Sequence, residues 1–227
     1  MQICHVTSVH SAKDDRIFYR ECLSLVSAGY TVLEIAPNIA DEVCNGIHIY
    51  GVKVSKNKWK RGLFSKRIVY NKCLEVNADI YHFHDPELIP VGVKLKKKYN
   101  KIVVFDSHED VPAQILTKEW IPSFLRQFVS RIYAVYEKEM LSCYDALVSV
   151  TPIIVDRLKK INRNTFQITN YPFINTDTKD VRQWDNSICF AGTISTQRLH
   201  HNILKALESL PNVRYRLAGF LSDGYLT

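Results

Sequence analysis

The chain has 227 residues, of which 46% are hydrophobic and 23% charged, with a net charge of +7 and a pI near 9.0. At about 100–200 residues per domain this allows one large domain, or one domain and part of another, and it excludes collagen-like and disordered classes. The basic balance admits anionic partners such as nucleic acid, an anionic leaflet or a sugar nucleotide, without choosing among them.

The N-terminus runs straight into an apolar, strand-like stretch at Gln2–Val6, with no basic region or cleavage site of a secretory signal. Six widely spaced cysteines (Cys4, Cys22, Cys44, Cys73, Cys143 and Cys189) contain no C-x-x-C pair. They are expected to be buried thiols in a reducing compartment, the cytoplasm. No stretch approaches the ~20 apolar residues of a bilayer span, so any membrane contact is expected to be peripheral.

Phe18, Cys22, Leu25 and Val26 then recur at helical spacing up to a Gly29 stop. Strands are expected at Thr31–Ala36 and Ile47–Val54, and a helix through Val69, Cys73 and Val76. Next come a strand at Asp79–His84, a helix at Ile89–Tyr99 and a strand at Lys101–Phe105. A long helix through Phe124, Phe128, Ile132, Val135 and Glu139, then strands at Ala146–Val150 and Phe166–Thr169, complete this part. Strands alternating with helices imply βαβ units and a parallel sheet covered on both faces, with ligands beyond the carboxyl ends of the strands. Residues 1–172 form this domain and 173–186 read as a linker. Within 187–227, Ser187–Ala191, His201–Leu210 and Val213–Ala218 give a strand, a helix and a strand, the start of a second domain.

Four strand-end loops are dense in polar residues. In the first, His10 and the Asp15-Arg16 pair open a helix, as a cap with solvated charges or as an anion site. In the second, Tyr81-His82-Phe83-His84-Asp85-Pro86-Glu87, alternation puts His82 and His84 on one face. With His108 they could ligate zinc, which makes a zinc-dependent hydrolase the rival reading, although an H-x-H pair is a weak signal. In the third, Asp106 to Pro112, His108 is placed to donate a hydrogen bond to a sugar hydroxyl or phosphate, or merely to pair with a carboxylate. In the fourth, Gly192 lets backbone approach a diphosphate, with hydroxyls at Thr193 and Ser195 and a counter-charge at Arg198. A further segment, residues 56–67, mixes cations with Trp59, Leu63 and Phe64 as an interfacial membrane contact or a solvated loop would. No nucleic-acid motif is present.

Taken in order, four segments resemble the retaining glycosyltransferase family four of the GT-B superfamily. They are His10 with Asp15-Arg16-Ile17 and Ala28-Gly29-Tyr30-Thr31-Val32; Tyr81 to Pro86; Asp106 to Pro112; and Ala191-Gly192-Thr193-Ile194-Ser195. The resemblance implies α/β architecture with two Rossmann-like domains facing a cleft, the second incomplete here. The first would carry the acceptor, a sugar or lipid-linked saccharide, and the second the nucleotide-diphospho-sugar donor. It implies that His108 is the active-site histidine and that His10, Asp15, Arg16, His84, Asp85 and Glu109 border the substrate. Gly192, Thr193, Ser195 and Arg198 would meet the donor phosphates, with no metal or other cofactor required. Many relatives carry Arg where this sequence has Thr193 and Gly where it has Leu199. The family's pair of donor-binding glutamates would lie after Thr227, so weak or no transfer is expected of this chain. A non-catalytic acceptor- or partner-binding domain is the other alternative.

Overall fold

The computed structural model describes residues 1–54, 58–171, 185–195 and 198–221, the side chains of 58–64 excepted. The chain divides into two compact units, Met1–Pro172 and Phe173–Thr227. Most of the expected linker, and most side chains of the 56–67 segment, lie outside the described residues.

In the first unit β1 (Gln2–Val6) lies inside an eight-stranded sheet and has four consecutive buried residues, as a parallel strand covered on both faces must. The first helix begins with a π-helical turn, Ile17–Cys22, that runs into α1 (Leu23–Ser27). Next come β2 (Thr31–Pro37), β3 (Glu42–Cys44), β4 (Ile47–Val52), α2 (Lys58–Val76) and β5 (Ile80–Phe83). They are followed by α3 (Ile89–Tyr99), β6 (Ile102–Ser107), α4 (Val111–Thr117) and α5 (Ser123–Leu141). The unit ends with β7 (Ala146–Ser149), α6 (Pro152–Lys159) and β8 (Thr165–Gln167).

The strand order is β3-β4-β2-β1-β5-β6-β7-β8, and every pairing is parallel except β3 with β4. That hairpin departs from the wholly parallel sheet expected from the sequence. It turns through Asn45 and Gly46, both at positive φ (51° and 80°), the backbone a two-residue hairpin demands.

Alternation divides the sheet into two unlike faces. Cys4, Val6, Leu33, Ile35, Tyr81, Phe83, Val103 and Phe105 join a large apolar core with residues of α2, α3, α5 and α6. A smaller core on Val32, Ala36, Ile47 and Ile49 is covered by Ile17, Phe18 and Cys22 of the π turn. Elsewhere the same face carries His5, Glu34, His82 and Asp106 on neighbouring strands, which makes it polar there.

Cys4, Cys22 and Cys73 are buried thiols as expected, but Cys44 and Cys143 are half-buried and Cys189 is exposed; all six are free. On α5 the apolar stripe Phe124, Phe128, Ile132 and Val135 faces outward, while Ser130, Glu137 and Leu141 turn inward. Glu137 is ion-paired with Arg157 there. Among the described residues no helix is long and apolar enough to cross a membrane.

In the second unit β9 (Ser187–Ala191) and β10 (Arg214–Ala218) pair in parallel, with α7 (His200–Leu207) between them in sequence. A β-carbon on Gly219 would lie 1.8 Å from the Gly192 carbonyl oxygen, so two backbones meet where these strands end.

Helix α3 packs against the sheet through Gly92, where an added β-carbon would fall 2.1 Å from the Tyr144 hydroxyl and 3.1 Å from the Phe83 ring. That hydroxyl is itself held, donating to the Ile89 carbonyl at 2.9 Å. Gly92→Ala is therefore expected to destabilise the chain by about 1–3 kcal/mol through overpacking, although alanine is the better helix former. Urea-unfolding midpoints would show this, and the loss should shrink in a Tyr144→Phe background; an unchanged midpoint would refute the packing argument.

Candidate active site

The carboxyl ends of β1, β5 and β6, where open α/β sheets bind ligands, hold an unusual density of ionisable groups. Strand register puts Glu34 of β2 beside His5 of β1, and His5 beside His82 of β5. Just beyond β5 stand His84 and Asp85, and Asp106 lies near the end of β6.

Asp106 is fully buried and organises the group. Arg16 meets it as a two-pronged pair, Nε to Oδ2 at 2.7 Å and Nη2 to Oδ1 at 3.1 Å. His108 Nε2 lies 3.2 Å and His84 Nδ1 3.5 Å from the same carboxylate. Arg16 also donates through Nη1 to the Ile168 carbonyl (3.1 Å) and to Asn170 Oδ1 (2.6 Å), which ties the first helix to the chain after β8. Burial opposes ionisation of Asp106, yet hydrogen bonds from His108, His84 and Arg16 hold its carboxyl well below the usual carboxylate range.

The π turn places a second acid over this face. With the Glu21 amide bonded to the Arg16 carbonyl five residues back, at 3.0 Å, Glu21 comes round to the side on which Arg16 lies. Arg16 Nη2 is 3.0 Å from Glu21 Oε1. Burial, aided by the Asp106 charge, pushes the Glu21 carboxyl up to about 9, and burial pushes Glu34 up to about 8. Burial also lowers the imidazoles of His5, His84 and His82, the last to about 3.

Above this layer the loop after β1 is clamped by Asp85, whose Oδ2 accepts from Thr7 Oγ1 (2.9 Å), the Ser8 amide (2.5 Å) and Ser8 Oγ (3.2 Å). Thr7 Oγ1 in turn accepts from the His10 amide at 2.9 Å. His10 is thereby carried over the site, 3.4 Å from Asp14, 3.6 Å from Asp85, and with its ring 5.0 Å from that of His108. The side chains of His10 and His108 are 29% and 21% exposed, whereas those of His84 and Asp106 are wholly enclosed. These two imidazoles are therefore the ones an incoming ligand can touch.

Of the residues expected from the sequence, His10, Arg16, His84, Asp85 and His108 come together, but Arg16, His84 and Asp85 are buried and act as supports. Asp15 stands apart, largely exposed and paired with Arg20 at 2.8 Å, while Arg20 donates to the Tyr171 carbonyl at 2.6 Å. Glu109 is exposed, and its backbone carbonyl accepts from Ser107 Oγ at 3.0 Å. In the second unit Thr193 and Arg198 are exposed and Ser195 half-buried. The Gly192 and Ile194 amides donate to the Ala218 and Phe220 carbonyls at 2.8 Å each, so they extend the strand pair rather than face a ligand. Leu199 adopts left-handed backbone (φ 54°), a conformation that glycine takes with less strain. His82, His84 and His108 do not form one ligand set: His82 groups with His5, Glu21 and His84, whereas His108 groups with His84 and Asp106. Asp106 and Asp14 fall in the polar loops that the sequence marks but carry no assigned role there, and Glu21 and His5 lie outside those loops. The signal for His5 is its pairing with His82, which requires knowing that β1 and β5 are neighbours.

Two outcomes follow. Asp106→Asn, which leaves the Arg16 guanidinium buried against a neutral group, is expected to destabilise the chain by about 3–5 kcal/mol. An unfolding midpoint close to that of the parent would show that Arg16 finds other compensation. For His10, the hydrogen bond to Asp14 raises the imidazole above 6.5, and the same bond holds Asp14 below 3.8. The raised His10 contributes stability below 6.5 that is lost as pH rises through its folded value; the depressed Asp14 contributes above 3.8 and loses it on acidification. An NMR titration should place His10 above 6.5 and bring it down in Asp14→Asn; an unmoved midpoint would count against the pairing.

Comparison with known proteins gives this geometry a context. No match was found among curated protein sequences. A sucrose-phosphate synthase from Thermosynechococcus elongatus superposes with a TM-score of 0.65 at 13% identity, over 96% of this chain and 62% of that one. A trehalose-6-phosphate protein from E. coli, bound with UDP-2-fluoro glucose, gives 0.61 at 13% identity, over 99% and 66%. A UDP-GlcNAc 2-epimerase from Methanocaldococcus jannaschii gives 0.51 at 10% identity, over 96% and 65%. The chain thus spans under two thirds of the length of the synthase, and identities this low establish the GT-B Rossmann-like fold alone. Residues 15–170 match the model of Glycosyltransferase Family 4, a stretch that takes in Arg16, Asp106 and His108. The chain belongs to Glycosyltransferase Family 4.

Proposed function

We propose that this chain supplies the acceptor side, and the opening of the donor side, of a retaining transferase. It would pass a sugar from a nucleoside-diphosphate donor to a saccharide in polysaccharide or glycolipid assembly. The observation that carries this reading is the pair of part-exposed imidazoles, His10 and His108, standing at the carboxyl edge of the sheet on an enclosed Arg16–Asp106–His84 base. Glycosyl transfer builds negative charge on the departing phosphate while the sugar passes through an oxocarbenium-like state. A donor group held in place before the reaction lowers that barrier without reorganising. His108, fixed by Asp106 at 3.2 Å, is the group for that task or for a hydroxyl of the transferred sugar.

Thr193, Ser195 and Arg198 are assigned to the donor diphosphate, Arg198 as its counter-charge. A nucleotide-sugar donor is supported by the E. coli neighbour bound with UDP-2-fluoro glucose. The net charge of +7 and the cation-and-aromatic composition of residues 56–67 favour a lipid-linked acceptor at the anionic inner face of the plasma membrane, met from the cytoplasm. The transfer chemistry assigned here calls on no metal.

Calorimetric titration with uridine-, guanosine- and adenosine-diphosphate sugars tests the donor assignment, with micromolar binding of one nucleotide class expected and weakening in Arg198→Ala. Where the parent chain shows measurable transfer, His108→Ala is expected to reduce it by about 10²–10³-fold with donor binding retained. Transfer at the parental rate in a folded His108→Ala variant would remove His108 from the mechanism. Retained acceptor binding with no donor binding would make the chain a binding unit instead.

A further inference from the structure

Beneath the Arg16–Asp106 layer lies a second cluster that the proposed transfer chemistry does not use. Glu21 Oε2 stands 3.7 Å from His5 Nδ1, 3.8 Å from His82 Nδ1 and 3.9 Å from His84 Nε2. These separations exceed hydrogen-bond length, yet one oxygen is aimed at three imidazole nitrogens at nearly equal range. His5 Nδ1 and His84 Nε2 are 3.0 Å apart. One ligand atom from each of the four residues lies within 4.8 Å of all the others. Four ligands about 2.0–2.1 Å from a tetrahedral zinc ion are separated by about 3.3 Å, and these four spacings, 3.0 to 3.9 Å, bracket that value, with every other ligand pair inside 4.8 Å.

The cluster is deeply enclosed. His5 and His84 are buried, and the side chain of Glu21 is 10% exposed. Glu21 Oε2, the oxygen aimed at the three imidazoles, makes no hydrogen bond among the described residues, whereas Oε1 is met by Arg16 Nη2 at 3.0 Å. A buried carboxylate oxygen left in this state calls for a water or an ion. A hydrogen-bonded relay from His5 through His84 to Asp106 would account for two of the rings. It leaves His82 and Glu21 3.8 Å apart with nothing to join them. The outer side of His84 also suits a ligand, because its Nδ1 faces Asp106 Oδ2 at 3.5 Å while Nε2 faces the cluster. A carboxylate behind a coordinating imidazole fixes its tautomer and orientation.

We infer that His5, His82, His84 and Glu21 form a closed, four-ligand site for a divalent transition-metal ion, zinc by the nitrogen and oxygen character of its ligands. Four protein ligands leave no open position for water or substrate, so the ion is structural. It pins the π turn to β1 and β5 and orders the His84–Asp106–His108 sequence from below. Transfer chemistry proceeds at the edge, outside this shell.

The test uses the full, tag-free chain, stripped with a strong chelator and reloaded with zinc, with metal content measured by mass spectrometry. About one equivalent per chain is expected, and cobalt in its place should give the intense visible absorption of a tetrahedral site. His82→Ala and Glu21→Gln should each weaken zinc binding by more than about 10²-fold, beyond the loss typical of an outer-shell partner. His108→Ala should bind zinc as the parent does. A folded parent that takes up no stoichiometric zinc would overturn the inference, as would unchanged binding in folded His82→Ala. Loss of zinc in His108→Ala would place the ion in the His84–Asp106–His108 group and overturn it equally. Should His82→Ala fail to fold, X-ray absorption on the loaded parent decides, with three nitrogens and one oxygen expected and any other shell contrary. Metal content is read independently of glycosyl transfer, so this inference and the transferase reading stand or fall separately.

Discussion

The Asp106 carboxylate, enclosed within the sheet, sets the terms for everything around it. An ionised carboxylate at such depth is stable only when charge and hydrogen bonds replace its lost water. Arg16 supplies the charge through two parallel bonds, and His84 and His108 supply the rest. Because Arg16 belongs to the entry of the first helix, meeting this requirement fixes that helix over β6 and, through Ile168 and Asn170, over the chain that follows β8. The π-helical turn fits the same requirement. Regular α-helical geometry would turn Glu21 away from Arg16, whereas the wider turn brings the two to 3.0 Å.

From that base, order is carried outward by contacts of graded exposure. Asp85 clamps the loop after β1 through Thr7 and Ser8, and that loop holds His10; Asp106 holds His108. Enclosed groups therefore fix the backbone and the rings, and the two half-exposed imidazoles inherit the precision. The enclosed groups that sequence patterns mark as substrate contacts, Arg16, His84 and Asp85, take part through what they hold in place.

Much of the fold could be read without coordinates because hydrophobic period and strand burial agree in a parallel sheet. β1, α3 and β9 have the ends expected of them: the apolar run itself bounds β1, Asn100 at left-handed backbone ends α3, and Asn186 and Gly192 flank β9. Short elements were harder. β3 has three residues and almost no period, although Asn45-Gly46 was a hairpin signal waiting beside it. α4 and α6 were marked by Asp110 and Thr151 before prolines, capping signals that apolar period alone passes over. The motifs named His10, His84 and His108, but not His5 or Glu21. One depends on which strands are neighbours, and the other on a π turn whose local propensities look like those of an ordinary helix.

Shared fold does not select a chemistry, since a synthase and an epimerase both superpose on this chain at 10–13% identity. What narrows the choice is the cost of the polar face. The same positions filled with apolar residues, as on the opposite face, would avoid desolvating three carboxyl groups (Glu21, Glu34 and Asp106), a guanidinium and three imidazoles. Replacing buried ion pairs by packed apolar groups is often neutral or stabilising, so stability alone gives no reason for this arrangement. Its effect is positional: a sheet edge that would otherwise end in mobile side chains instead presents two imidazoles whose backbones, tautomers and neighbours are fixed before any ligand arrives. A reaction that needs charge met at a defined point, as departure of a diphosphate does, is one that gains from such a surface.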